Sequence, residues 1–94
     1  MIKVTQMDED IKEIVVYGTA WCGQSRRAKQ FLVQHEIPFK WIDIDLDMAA
    51  RAYVEQINNG YRSVPTFIFP DGSILVEPSE IELGEKFGIF LKAN

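Results

Sequence analysis

The apolar patterning of this chain predicts an α/β domain built on a mixed four-stranded sheet with helices on both faces, in the order β-α-β-α-β-β-α. Three observations predict it. Strand-like and helix-like segments alternate from Ile14 to Ile57; two short β-rich runs flank the turn Pro70-Asp71-Gly72-Ser73; and Ser79 with Glu82 opens a last helix. A right-handed crossover makes the first two strands parallel, and the hairpin adds antiparallel ones. Residues 1–94 are expected to form a single domain, with residues 1–10 as an N-terminal extension.

Ile11–Tyr17 is the expected first strand, with its β-branched run at Ile14-Val15-Val16. Ahead of it, Met1–Lys12 is the least legible stretch, and Ile2-Lys3-Val4-Thr5 reads as either an extra edge strand or a disordered lead-in. Gln24–Glu36 is the first helix: Ala28, Phe31, Leu32 and His35 share one side, Arg26, Arg27, Lys29 and Gln30 lie mostly elsewhere, and Pro38 stops it. Phe39–Ile44 is the second strand. Asp45 or Asp47 caps the second helix, Met48–Ile57, which Asn58-Asn59-Gly60 ends with residues tolerant of left-handed backbone. Thr66–Phe69 and Ile74–Val76 are the hairpin strands. Ser79 and Glu82 form a capping box for the last helix, whose stripe is Leu83, Phe87, Phe90 and Leu91, with Gly84 and Gly88 weakening it.

Composition narrows the function. A chain of 94 residues that is 47% apolar, with six Phe, three Tyr and two Trp, has the material for a packed core. A net charge of −4 argues against sequence-independent nucleic-acid binding, and no block of like charge suggests a membrane-binding patch. No apolar run approaches the roughly 20 residues that span a bilayer, and the polar N-terminus does not read as a signal peptide. With one cysteine there is no internal disulfide, so a reducing, cytoplasmic location is expected. A monomer is expected as well.

That cysteine, Cys22, sits in Trp21-Cys22-Gly23-Gln24-Ser25, where the first strand ends and the first helix begins. Unpaired N–H groups and the partial positive charge of a helix start favour thiolate over thiol, and the thiolate is the attacking species in disulfide exchange. Arg26, Arg27 and Lys29 add cationic charge nearby. A buried, inert cysteine is the ordinary alternative, but Gly23, Gln24 and the turn position argue against burial. Ser25 stands where a C-x-x-C motif has its second sulfur. It is either a polar residue of the first helical turn or a hydroxyl donating to the Cys22 thiolate.

Val64-Pro65-Thr66 is the third feature, because proline at that point belongs to a strand start. A cis bond there would turn the Val64 backbone outward, able to pair with an extended thiol peptide. His35 is a helix C-terminal residue about three turns from Cys22 and too distant to act as its base. Asp43, Asp45 and Asp47 have the alternate spacing of part of a calcium loop but lack its glycine and distal glutamate, so strand-end and capping duty is expected. One Cys and one His make a metal site within this chain improbable. Trp21 and Trp41 are packing residues rather than base-stacking platforms, with Trp21 shaping access to the thiol.

Tyr17-Gly18-Thr19-Ala20-Trp21-Cys22, Val64-Pro65-Thr66 and the Asp71-Gly72 hairpin together resemble a glutaredoxin, over about Ile14 to the end of the chain. Asn58-Asn59-Gly60, Asp71-Gly72-Ser73 and Pro78-Ser79 resemble the mycoredoxin-like branch, which uses mycothiol in place of glutathione. The resemblance implies a thioredoxin fold, a cis peptide before Pro65 and Cys22 as nucleophile with Ser25 beside it. It further implies a small-thiol groove that includes Tyr17, Trp21, Gly23, Gln24, Tyr61, Val64, Pro65, Pro78 and Ser79. Glu77-Pro78-Ser79-Glu80 replaces the Gly-Gly-x-Asp-type stretch common in glutathione-binding members. Serine replaces the second cysteine of most mycoredoxin-like proteins. Monothiol members share that serine but carry phenylalanine before it and a lysine upstream; Gln24 stands at the first place, and neither Tyr17 nor Thr19 supplies the second.

The expected function is reduction of mixed disulfides between proteins and a low-molecular-weight thiol, mycothiol or glutathione, through Cys22 alone. Thiol-modified proteins and the small thiol are the expected partners, with no nucleic acid and no membrane. Two alternatives stand beside it. One is a carrier of a [2Fe–2S] cluster held by Cys22 of two chains and two small-thiol sulfurs. The other is a dithiol glutaredoxin trapped by a serine in place of its second cysteine.

Overall fold

The computed structural model describes residues 13–89. Its elements are β1 (Ile14–Gly18), α1 (Gly23–Gln34), β2 (Phe39–Asp43), α2 (Met48–Ile57), β3 (Thr66–Ile68), β4 (Ile74–Val76) and α3 (Glu80–Phe87). This is the order the patterning predicts. The readings for Ile2–Thr5, Ile11, Phe90 and Leu91 lie outside the described residues. No helix among those residues is long and apolar enough to cross a membrane.

The sheet runs β2-β1-β3-β4. β1 pairs parallel with β2, Val16 opposite Trp41, and antiparallel with β3, Tyr17 opposite Thr66; β3 and β4 close the hairpin with Phe67 opposite Leu75. Alternation along the strands splits the core in two. Ile14 and Val16 of β1, with Phe67 and Phe69, pack against Ala28, Phe31 and Leu32 of α1 and Leu83 of α3. Tyr17 and Ile42 point the other way, against Ile44 and the α2 residues Ala50 and Val54. Thus α1 and α3 cover one face and α2 the other.

The helix ends follow their capping chemistry, and here the sequence boundaries need correction. α1 stops at Gln34 rather than Glu36, in a Schellman arrangement: Glu36 is left-handed at φ 56°, its N–H donates to the Val33 carbonyl, and the Ile37 N–H donates to the Leu32 carbonyl. His35 is the C-cap, its ring 4.4 Å from that of Phe31. Of the two candidate caps for α2 it is Asp47 that accepts from the Ala50 N–H, at 2.9 Å. Asp45 instead accepts from the Trp21 indole at 2.8 Å. α3 has the full capping box between Ser79 and Glu82, and it ends at Phe87 because Gly88 takes the left-handed cap at φ 68°. Gly88 therefore terminates that helix rather than weakening its middle. The strands also shift slightly: β1 runs on to Gly18, β2 ends at Asp43 and β3 at Ile68.

Candidate active site

β1 delivers the chain to the edge of the sheet at Gly18, whose carbonyl accepts from the Ile44 N–H at 3.0 Å. An ideal Cβ on Gly18 would lie 2.5 Å from Trp41 Cη2 and 3.1 Å from Ser25 Oγ, so only glycine lets β1 pass this close to both. Thr19, Ala20 and Trp21 then turn off the sheet, and Cys22 (φ −81°, ψ 121°) becomes the N-cap of α1.

The cap is the sulfur itself. Sγ of Cys22 accepts from the Ser25 N–H at 3.4 Å, doing what a serine or aspartate oxygen does at other helix starts. Ser25 is fully buried, and its Oγ accepts from the Thr19 N–H at 3.4 Å. Partial burial pushes the Cys22 thiol up, but the Ser25 hydroxyl and the amides of Ser25 and Gln24 together outweigh it, and the net pKa lies below the ordinary thiol value. Glu77 opposes them with its charge. Ser25 is thus a buried residue of the first helical turn and also one of the groups that lower the Cys22 pKa.

A relay of two hydrogen bonds ties the Val64–Pro65 segment to the cysteine's helix. The Glu77 N–H donates to the Pro65 carbonyl at 2.8 Å, and Gln24 Nε2 donates to the Glu77 carbonyl at 3.1 Å. Gln24 lies in the first turn of α1, two residues past Cys22. The Val64–Pro65 bond is cis. Val64 packs against the Ile44, Ala50 and Val54 cluster. Gln24, Pro78 and Ser79 line one cavity of about 630 Å³ between α1 and α3, together with the charged Arg27 and Glu80 and the apolar Ile81 and Leu83.

The other expected groove residues are less closely joined. Gly23 is the first residue of α1, and Trp21 is 70% exposed with its indole held to Asp45. Tyr17 is half-buried beneath α2, 5.6 Å from the Tyr53 ring; burial first, then the neighbouring Tyr53 and Asp47, pushes its phenol up. Tyr61 is exposed on the segment between α2 and β3, and no described contact joins it to Cys22. The cations also depart from expectation. Arg26, Arg27 and Lys29 are not among the groups that set the Cys22 pKa; they line a second cleft toward β2, with Arg27 shared between it and the cavity at Pro78 and Ser79. Among the described residues no cluster of three or more His, Cys, Asp or Glu side chains could hold a metal ion.

Three contributors escape the sequence reading. Gly18 makes the close approach, Thr19 supplies the amide that orients Ser25, and Glu77 (φ 51°) bridges Pro65 to Gln24. The only advance signal was a glycine followed by a small polar residue where a strand ends.

The glutaredoxin family model matches residues 14–74. A Mycobacterium tuberculosis protein that bears the glutaredoxin name is 40% identical over 73 residues, spanning 78% of this chain and 87% of its own length. Mycoredoxin 1 of Corynebacterium glutamicum is 32% identical over 73 residues, spanning 78% of this chain and 90% of its own. The crystal structure of the thioredoxin-like protein BC3987 superimposes with a TM-score of 0.68 at 26% identity, covering 78% of this chain and 97% of that one.

Proposed function

The chain belongs to the glutaredoxin family, close to the mycoredoxins, with the thioredoxin fold and a glutaredoxin-type redox function, and from that premise we propose that it reduces protein–small-thiol mixed disulfides by a monothiol mechanism. The observation that carries the proposal is the Cys22 sulfur capping α1, hydrogen-bonded by Ser25, with no second sulfur at position 25. The Cys22 thiolate attacks the small-thiol sulfur of the mixed disulfide. The Cys22–small-thiol bond forms, the old S–S bond breaks, and the protein leaves as a thiolate that takes a proton from water. A second small-thiol molecule, as thiolate, then attacks this adduct; the oxidised small-thiol dimer departs and Cys22 returns to thiolate. No step needs a sulfur at position 25.

The small thiol would lie along Val64 and Pro65, with the cavity at Gln24, Pro78 and Ser79 taking its far end. At that end Ser79 and Glu82 satisfy each other, the Ser79 N–H donating to Glu82 at 2.8 Å and the Glu82 N–H to Ser79 Oγ at 3.1 Å. The α3 start is thus partly occupied, and Glu77, Glu80 and Glu82 crowd it with negative charge. A thiol with carboxylates, such as glutathione, meets these three carboxylates against the single Arg27 guanidinium of the cavity; mycothiol, which has none, fits better.

The test is turnover of a mixed disulfide on a model peptide, with mycothiol and glutathione in parallel and Cys22→Ala as control. Turnover that requires Cys22 and runs faster with mycothiol is the expected result. Absence of turnover with either thiol would overturn the proposal.

A further inference from the structure

The cations Arg26, Arg27 and Lys29 do not set the Cys22 pKa, and only Arg27 also reaches the small-thiol cavity. With Ala20, Gly23, Gln30, Val33 and Trp41 they surround a cleft of about 580 Å³ on the outer side of α1. Its floor is Trp41 of β2, with Lys29 Nζ 4.9 Å from the ring centroid; Arg26 Nη1 donates to the Trp21 carbonyl at 3.4 Å on the wall nearest the thiol. The charge is locally one-sided. Gly23–Gln34 contains three cations and no carboxylate, in a chain whose net charge is −4. The ion pairs among the described residues are Arg62 with Glu55 and Lys86 with Asp71, so none of the three cleft cations is neutralised there.

Topology places this cleft opposite the small-thiol platform. The sheet order is β2-β1-β3-β4, and Cys22 follows β1. Val64 and Pro65 precede β3 on one side of it; Trp41 belongs to β2 on the other. A mixed disulfide has two halves, and the leaving sulfur must depart from Cys22 in line with the attack. With the small thiol on the β3 side, the polypeptide half is left the β2 side, where the cleft opens at Ala20 and Gly23.

We propose that this cleft is a docking site for an acidic segment of the protein half of the mixed disulfide, an inference that rests on the monothiol reading above. Guanidinium and ammonium groups without a carboxylate partner, close to a partly buried thiol, steer anionic partners and repel cationic ones. A short acidic peptide stretch matches three cations on one helix face; a nucleic acid would need a longer basic stripe than the chain offers.

The test uses synthetic peptides, each with one cysteine in mixed disulfide with the small thiol, identical except that the flanks are aspartate, asparagine or lysine. At low salt the wild type should show a kcat/KM about tenfold higher for the aspartate flank than for the lysine flank, and added salt should compress the ratio. K29E/Q30E, which alters only cleft residues, should abolish or invert the preference while turning over the asparagine peptide at the wild-type rate, and Lys29→Arg should retain it. Turnover of all three peptides at equal rates would overturn the docking site and leave the monothiol reading standing. A preference that persists in K29E/Q30E would also overturn it. Inhibition by a single-stranded oligonucleotide stronger than by a free aspartate-rich peptide would replace the acidic-protein occupant with nucleic acid. Failure to turn over any peptide would overturn both readings.

Discussion

The backbone N–H of Ser25 donates to Sγ of Cys22 at 3.4 Å, so the proposed nucleophile is also the cap of the helix that lowers its pKa. Activation and folding are therefore linked through one proton. The Ser25 hydroxyl and the Ser25 and Gln24 amides stabilise thiolate over thiol more than partial burial and Glu77 oppose it, and the folded-state pKa lies below the unfolded one. For a group depressed in this way the linked stability is fully present above the unfolded pKa and is lost as pH falls through the folded pKa. Wild type is expected to gain stability as pH rises through that window, whereas Cys22→Ser, which caps without titrating, should not. Chemical denaturation across pH, compared between the two proteins, measures this. Ser25→Ala removes one of the lowering contacts while keeping the amide, and its alkylation profile should move to higher pH. An unmoved profile would show that the hydroxyl plays no part.

Under the proposed monothiol mechanism, position 25 also decides which disulfides the protein can reduce. Its side chain is fully buried one helical turn from Cys22, whose sulfur accepts from its N–H. Ser25→Cys places a resolving thiol at that point, where it can displace a substrate protein from Cys22. Reduction of an internal disulfide such as that of insulin, with a reductase or chemical regenerant but no small thiol, is expected to rise at least about tenfold over wild type. Equal rates in the two proteins would mean that residue 25 cannot reach the adduct.

Much of this architecture was legible in the chain because it depends on local signals. The Ser79/Glu82 capping box, the Asn58-Asn59-Gly60 stop and the Asp71-Gly72 turn each need only a few neighbouring residues, and each stands where the sequence places it. Glycine at position 88 shows the limit. It reads as a weak helix residue beside Phe87, yet its left-handed backbone ends the helix, and only the course of the chain beyond distinguishes the two. Cys22 and Ser25 were legible as neighbours across one helical turn. The Pro65–Glu77–Gln24 relay was not, because its links join three separate segments and use backbone carbonyls that carry no residue-type signal. The destination of Arg26, Arg27 and Lys29 was hidden for a similar reason: sequence places them after Cys22, but only the packing of α1 puts Arg26 and Lys29 in the cleft with Trp41 and Arg27 between that cleft and the one toward α3.

Gly18 is the tightest point in the site. A Cβ there would meet Trp41 Cη2 at 2.5 Å and Cζ2 at 2.8 Å, well inside contact distance, with Ser25 Oγ at 3.1 Å. Trp41 is a large ring under Lys29 and packs against the α1 core, so it has little room to retreat. Gly18→Ala is expected to cost about 1–3 kcal/mol, the range for overpacking in a filled core. Because Ser25 is the third neighbour, the same change should shift the Cys22 alkylation profile, which a purely structural defect elsewhere would not do. Denaturant midpoint and alkylation pH profile, read on the same sample, separate the two effects. A stability loss well below that range would show that the indole moves freely.

Thr19 presents the opposite case, a polar group the fold would do better without. It is 2% exposed, and its hydroxyl has no hydrogen-bond partner, while its amide is committed to Ser25 Oγ. A buried hydroxyl without a partner costs about 1–3 kcal/mol, and replacing it by an apolar group of the same shape recovers much of that cost. Valine is that replacement, branched at Cβ like threonine and with a methyl in place of the hydroxyl. Thr19→Val is therefore expected to stabilise the protein by about 1 kcal/mol, a rise of roughly 4–8 °C in Tm for a domain of this size. The backbone contact to Ser25 survives the change, so the Cys22 alkylation profile should stay where it is. Thr19→Ala removes the methyl as well and should lose stability through the cavity it leaves. If Thr19→Val is instead destabilised, or its alkylation profile shifts, the hydroxyl is engaged with the sulfur site, and its burial serves the chemistry rather than opposing the fold.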